Sequence, residues 1–239
     1  MNSFVVKVSN LVKTFDTKKI IKNISFNVNE NSVTGVLGKN GAGKTTLLGM
    51  LMGLISPSSG NIEILGKNLF FKKNEILKEI NFQSPYIDLP KKMTVEQNLF
   101  FYSRLYGIKK FKDKIYDLVK KLKMTDLMKK NYGSLSAGQK TKVNLCKALI
   151  NNPKLLLLDE PTASLDPETS IFIREFLLDY QKKNKSSILI TSHNLEEIQS
   201  ICSKIILLKL GKIASNGNLN ELLKINNYSS LKDFFLGQG

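Results

Sequence analysis

The chain of 239 residues has no tryptophan, one histidine and two cysteines. Arginine is nearly absent too: of 36 basic side chains only Arg104 and Arg174 carry a guanidinium, and the rest are Lys. Each scarcity removes a class of function. Cys146 and Cys202 are too few for a disulfide framework or a thiolate metal cluster, so a reducing cytosol fits the chain. A single imidazole, His193, gives a Ser-His-Asp relay little to draw on and rules out a site built from several His ligands. No apolar run approaches the ~18–20 residues that span a bilayer; the longest are short, such as Leu155–Leu158 and Ile205–Leu208. The N-terminus has no long apolar stretch of the kind that directs secretion.

What is present balances differently. Hydrophobic residues make up 42% and charged residues 23%, which suits a globular chain with a sizeable core. At about 150 residues per domain the length allows one large domain or two small ones. The net charge of +16 leaves nucleic acid, an anionic membrane face and a polyphosphate ligand open as partners. Base-reading proteins favour Arg for its bidentate fork, however. Asn is also abundant, at 23 residues, so a genome-wide bias toward Lys and Asn accounts for the charge without any function. The densest stretch, residues 109–130, holds nine Lys and three Asp. It reads as a solvated helical face or as one turned to anionic headgroups.

Periodicity organises the chain. Phe4–Val8, Asn23–Val28, Ser32–Leu37, Asn61–Leu65 and Ile80–Phe82 read as strands, with a helix over Lys44–Leu54 and a turn at Pro57–Gly60. From about residue 84 the texture turns helical, over Met93–Tyr106, Lys112–Leu122 and Ala137–Ile150. Apolar strands return at Leu155–Leu158, Ser187–Thr191 and Lys204–Lys209, separated by helices over Pro167–Tyr180 and Leu195–Cys202. Strands alternating with helices imply an α/β fold around a mainly parallel sheet. The expected organisation is one domain: a core over residues 1–83 and 151–222, a helical insertion over 84–150 and a short tail, 223–239.

Two motifs carry chemistry. Gly38-Lys39-Asn40-Gly41-Ala42-Gly43-Lys44-Thr45-Thr46 fits the G-x-x-x-x-G-K-[ST] phosphate loop, between an apolar strand and a helix. Small residues let backbone N–H groups curl around phosphates, and the helix directs its positive end at the same anion. Lys44 then reaches the β- and γ-phosphates and the Thr45 hydroxyl is a Mg²⁺ ligand. The second motif is Asp159-Glu160, an acidic pair closing an apolar strand. In that position Asp159 holds Mg²⁺ through its hydration shell, and Glu160 orients or deprotonates the attacking water. The plain alternatives are a Gly-rich turn for the first motif and an acidic helix cap for the second.

Leu135-Ser136-Ala137-Gly138-Gln139 ends 20 residues before Asp159. With the two motifs above it makes the chain resemble the ATP-binding cassette (ABC) ATPases, whose signature is L-S-G-G-Q; Ala137 departs from it. Further matches follow in family order, covering essentially the whole chain: Ser164-Leu165-Asp166 as the D-loop, His193 as the switch histidine, and Phe15 where an aromatic stacks on adenine. The resemblance implies a P-loop fold with an N-terminal antiparallel β part and a helical subdomain. It implies ATP and Mg²⁺ as ligands and cassettes paired head to tail, as a homodimer or with a sister chain. Ser136, Gly138 and Gln139 would then meet the partner's nucleotide, while Ser136 also suits a plain helix cap. His193 would bind the γ-phosphate and polarise the water. Counted back from Met93-Thr94-Val95, the family's Q-loop glutamine falls on Pro85, not Gln83. Gln83 either serves as metal and water contact after a backbone adjustment or the role is lost.

The aromatics Phe100, Phe101, Tyr102 and Tyr106, with Leu105, lie where such cassettes form a groove for a membrane subunit, and pack the helical subdomain on the plain reading. Ser84–Pro90 and Ser230–Leu236 are similar to cassettes of ABC-2-type exporters, and the chain leaves no room for a long regulatory domain. Both observations point to export, driven by a separate multi-span permease, with the chain cytoplasmic and peripheral on the membrane's inner face. An importer cassette is the alternative. So is a soluble ATPase acting on nucleic acid or ribosomes, but with one cassette, no heptad run and no Cys cluster, no nucleic-acid partner is expected.

Overall fold

Alternating burial opens the chain. The computed structural model describes residues 3–163, 165–225 and 228–237. In β1 (Phe4–Phe15) Val6, Val8 and Leu11 are buried while Lys7 is exposed, the period-2 pattern of a half-buried strand. It pairs antiparallel with β2 (Lys18–Asn29) and β4 (Ser59–Ile64). With β5 (Lys67–Asn68) these form a four-stranded sheet in the order β2-β1-β4-β5.

Both first strands outrun the sequence expectation. The ladder shifts between Val8 and Leu11, where Asn10 adopts φ +51° and its N–H donates to the Ser25 hydroxyl at 2.8 Å. Such a bulge inserts a residue and interrupts the alternation, so the pattern stops at Val8 although the strand continues. The turn expected over Pro57–Gly60 also gives way, because Ser59 and Gly60 already belong to β4. Gly60 has φ +94°, and a Cβ there would lie 2.4 Å from the Asn10 carbonyl oxygen. The strand crosses the bulge with no room for a side chain.

The second sheet has six strands in the order β10-β9-β3-β8-β7-β6. They are β3 (Val33–Leu37), β6 (Ile80–Gln83), β7 (Leu155–Asp159), β8 (Ser187–Ser192), β9 (Lys204–Lys209) and β10 (Lys212–Asn218). All pairs are parallel except β9 with β10. Layers cover both faces, so β3, β7 and β8 are buried at every position, as their apolar runs require. Leu156, Leu158, Ile188 and Ile190 join one hydrophobic cluster, while Leu155, Leu157 and Leu189 join the cluster beneath the antiparallel sheet. Each buried side chain of this size contributes roughly 1.5–3 kcal/mol.

Helices follow the strands. α1 (Lys44–Leu51) ends three residues earlier than expected, at a chain reversal where Gly53 takes φ +63°. Short α2 (Lys73–Leu77) was not foreseen from the sequence. Residues 84–150 hold α3 (Val95–Leu105), α4 (Lys112–Lys121) and α5 (Ala137–Leu149) and, among the described residues, no strand. Two helices begin with capping boxes: Thr94 with Gln97 on α3, and Ser136 with Gln139 on α5. α6 (Pro167–Asn184) and α7 (Leu195–Ile201) return the chain to the sheet, and α8 (Leu219–Ile225) and α9 (Leu231–Gly237) close it. Among the described residues no helix is long and apolar enough to cross a membrane.

One charged side chain lies in the joint between α5 and β6. Lys147 donates from Nζ to the Phe82 carbonyl at 3.4 Å and lies 5.5 Å from the Tyr102 ring centroid. Burial holds its ammonium down at about 8, against 10.5 for a free lysine. Between those values the unfolded chain keeps a proton here that the folded chain has released. Folding stability therefore rises with pH across that window, by about 3 kcal/mol at most. Lys147→Met removes the titration. Denaturant unfolding of parent and variant from pH 7.5 to 10.5 should show the parent gaining on the variant as pH rises; a constant difference would contradict the burial penalty.

Candidate active site

The carboxyl ends of the parallel strands lie side by side. Leu37 pairs with Ser192, Asp159 with Thr191, and Gln83 with Leu158. In open α/β sheets ligands bind at this edge. Here it brings together the phosphate loop after β3, the acidic pair at the end of β7 and His193 after β8.

The loop is shaped by two of its glycines. Gly38 packs so closely that a Cβ would meet the Leu208 carbonyl oxygen at 2.6 Å, and Gly43 has φ +106° with Ile21 Cδ1 at 2.7 Å from a Cβ. The Ala42 N–H bonds the Lys39 carbonyl at 3.1 Å and curls the loop. Gly43 then serves as N-cap of α1 without any side-chain cap, leaving the first-turn N–H groups for an anion. A hollow of about 390 Å³ opens above the loop. Its wall comprises Asn40 through Thr46, Lys18 and Ile20 from β2, Tyr86 and Glu160.

Lys44 and Thr45 extend from α1 toward the acidic pair. Buried Lys44 donates to the Gly38 carbonyl at 2.7 Å and lies 3.6 Å from Glu160 Oε1. The Thr45 hydroxyl donates to Asp159 Oδ2 at 3.2 Å, and the Thr191 hydroxyl donates to Asp159 Oδ1 at 2.6 Å. Asp159 is 0% exposed, so both hydroxyls compensate a carboxylate removed from water. Thr191 is the partner that sequence reading missed as a site residue. The available signal was a hydroxyl directly after the apolar centre of a strand, Ile188–Ile190.

Glu160 follows in the left-handed region at φ +47°, a conformation that costs a non-glycine residue about 1 kcal/mol or more. The Thr191 carbonyl and hydroxyl both receive its N–H, at 3.0 and 3.2 Å. The turn aims the carboxylate at His193, whose backbone N–H donates to Oε2 at 3.2 Å and whose Nδ1 lies 2.7 Å from the same oxygen. Glu160 is nearly buried while the imidazole is 63% exposed.

Other expected residues lie apart. Ser136 caps α5 by accepting from the Gln139 N–H at 3.3 Å, and Gln139 Oε1 accepts from the Ser136 N–H at 3.1 Å. Ser136, Gly138 and Gln139 are absent from the wall of the hollow. Phe15 is half exposed at the hairpin end, with the Lys13 ammonium 4.5 Å over its ring. It is outside the wall but pairs in register with Lys18, which is in it. Gln83 is buried at the end of β6, and neither its amide oxygen nor its nitrogen has a partner. Pro85, the ungapped Q-loop position, is exposed in a turn. Ser164 lies outside the described residues, while Asp166 caps α6 by accepting from the Thr169 N–H at 2.8 Å.

Comparison with known proteins identifies the family. The family model described as ABC transporter matches residues 21–163. The chain is 34% identical over 229 residues to the ABC transporter ATP-binding protein NatA of Bacillus subtilis, covering 93% of each chain. It is 31% identical to the Nod factor export ATP-binding protein I of Rhizobium sp. strain N33, covering 94% of this chain and 74% of that one. Among solved structures, cbiO1 of Clostridium perfringens, part of the ABC transporter complex cbiONQ, superposes with a TM-score of 0.82 at 28% identity. That match covers 95% of this chain and 92% of cbiO1. The chain belongs to the ABC transporter family, as an ATP-binding subunit whose ATP hydrolysis is coupled to transport.

Proposed function

We propose that this chain drives a separate membrane permease of an exporter, from the cytoplasmic face, by ATP-dependent pairing of cassettes. The observation carrying the chemistry is the convergence of Lys44, Thr45, Asp159, Glu160 and His193 at one sheet edge. The triphosphate lies along the phosphate loop, from Gly38 to Thr46, with its anionic oxygens on the N–H groups at the start of α1. Lys44 exchanges its present partners, the Gly38 carbonyl and Glu160, for phosphate oxygens. That exchange frees Glu160, held by its turn and by His193, to accept a proton from water. His193 orients the same water and the γ-phosphate.

The residues fit a Mg²⁺ ion. Thr45 Oγ1 and Asp159 Oδ2 are hard oxygen donors already 3.2 Å apart, and Gln83 offers a buried amide with no other partner. Thr45 and Asp159 would hold the ion, with Gln83 as a further contact. Bound there, it neutralises phosphate charge in the transition state.

Ser136, Gly138 and Gln139 lie away from the chain's own phosphate loop. A cap whose hydroxyl is exposed at a helix N-terminus suits an anion on a second cassette. Phe15 at the hairpin end serves the adenine, and residues 84–150 serve as the subdomain that meets the permease. Export is favoured over import by the Nod factor export relative and by the Ser84–Pro90 and Ser230–Leu236 stretches.

Glu160→Gln should keep ATP binding while slowing hydrolysis about 10²–10⁴-fold, with an ATP-bound pair of cassettes visible by gel filtration. Hydrolysis at the parent rate would refute the role of Glu160. Lys44→Ala should weaken ATP affinity tenfold or more by equilibrium binding; unchanged affinity would refute the phosphate-loop assignment. Purification of the intact complex from membranes should bring down a multi-span protein. Its absence, together with RNA-stimulated hydrolysis, would overturn the transport partner.

A further inference from the structure

The catalytic pair proposed above joins two loops. Glu160 belongs to the turn leaving β7, and His193 belongs to the turn leaving β8. A hollow of about 430 Å³ borders both, with Glu160, Thr162, Arg174, Ser192 and His193 in its wall. Behind that wall lies a carboxylate that the mechanism has not used. Glu197, in the first turn of α7, is 1% exposed. An isolated carboxylate at such depth is strongly unfavourable, and an alkyl side chain would pack there at less cost.

Its partners explain its presence. The Thr162 hydroxyl donates to Glu197 Oε1 at 2.7 Å, and Thr162 is two residues beyond Glu160. The Ser192 hydroxyl, which accepts the Asn194 N–H at 3.0 Å, faces the same carboxylate, and Ser192 immediately precedes His193. One carboxyl group thus takes a hydroxyl from the loop of Glu160 and faces one from the loop of His193, the two loops that meet in the 2.7 Å contact between Glu160 and His193. The backbone adds a third tie, since the Asn194 side chain caps α7 by accepting the Glu197 N–H at 3.2 Å. Burial pushes the Glu197 carboxyl above its ordinary range and the Glu160 charge pushes it further; the two hydroxyls and the Arg174 guanidinium oppose them. Arg174 is one of only two arginines in a chain otherwise served by Lys. It stands on α6, and its positive charge favours the ionised carboxyl.

We infer that Glu197 is a positioning residue: it clamps the Glu160 loop to the His193 loop and so fixes the geometry of the pair that acts on water. The inference rests on the roles proposed for Glu160 and His193. The clamp needs a hydrogen-bond acceptor of carboxylate shape rather than a negative charge. Glutamine retains that shape and alanine does not. Misplacing a reacting pair by about 1 Å can cost on the order of 10²-fold in rate. ATP binding draws on the phosphate loop, which the clamp does not touch.

The test is steady-state ATP hydrolysis by the full chain, with thermal unfolding as the control for folding. Glu197→Ala should lower kcat 10- to 100-fold with KM for ATP within about twofold of the parent, and Glu197→Gln should restore kcat to within a few-fold. In a His193→Ala background, Glu197→Ala should lower the rate less than about twofold further, because the pair it aligns is already lost. If Glu197→Ala does not fold, the combined Thr162→Val and Ser192→Ala variant takes its place with the same expectations. A multiplicative loss in both backgrounds, a change in KM alone, or a folded Glu197→Gln as slow as Glu197→Ala would overturn the clamp. If Glu160→Gln and His193→Ala themselves hydrolyse at the parent rate, the site reading falls and the clamp with it. If those two are slow while Glu197→Ala matches the parent, only the clamp falls.

Discussion

The structure depends on one buried carboxylate held by two hydroxyls. Asp159 closes an apolar strand in the inner part of a six-stranded sheet, with a parallel neighbour on each side and no solvent exposure. Without partners a charge in that position would be prohibitive. Thr191 reaches it from the next strand and Thr45 from the first turn of the helix after the phosphate loop. Satisfying this one group therefore fixes three elements relative to one another: the loop after β3, the end of β7 and the end of β8. The remaining site residues inherit their places from that junction.

A second constraint builds on the first. Directly after Asp159 the chain turns left-handed at Glu160, and Thr191 accepts the turned N–H through both its carbonyl and its hydroxyl. The same threonine thus holds the buried carboxylate and the backbone of its neighbour. The site's charges face one another: Lys44 faces Glu160, and Glu160 faces His193. On the function proposed above, a triphosphate competes for Lys44 and leaves Glu160 with His193, so binding and activation are linked through one lysine.

Much of this was legible in the residues because the chemistry is local. The phosphate loop, Asp159-Glu160 and His193 are defined by spacing along the chain, and the apolar strands that deliver them have no competing periodicity. Elements set by distant contacts were not legible. The bulge at Asn10 hides the second half of β1, and Gly60 reads as a turn residue until the backbone crossing above it is seen. β10 is a polar edge strand, Lys212–Asn218, whose side chains alternate between half-buried and exposed, so its hydrophobic signal is faint. Thr191 and Glu197 look unremarkable in sequence; their meaning comes from groups 32 and 35 positions away. For Gln83 the sequence left two outcomes open, and the structure adds a buried amide lacking any partner.

The most direct test of this account is the metal dependence of ATP affinity in the parent and in Asp159→Asn, measured by equilibrium titration with and without Mg²⁺. Asparagine removes the charge while its carbonyl still accepts from the Thr191 hydroxyl and its amide N–H₂ donates to the Thr45 hydroxyl oxygen. The account predicts that Mg²⁺ tightens ATP binding in the parent and that the variant loses this increment, with metal-free affinity within about twofold of the parent. An undiminished Mg²⁺ effect in Asp159→Asn would contradict the claim that this carboxylate, held between Thr45 and Thr191, organises the site.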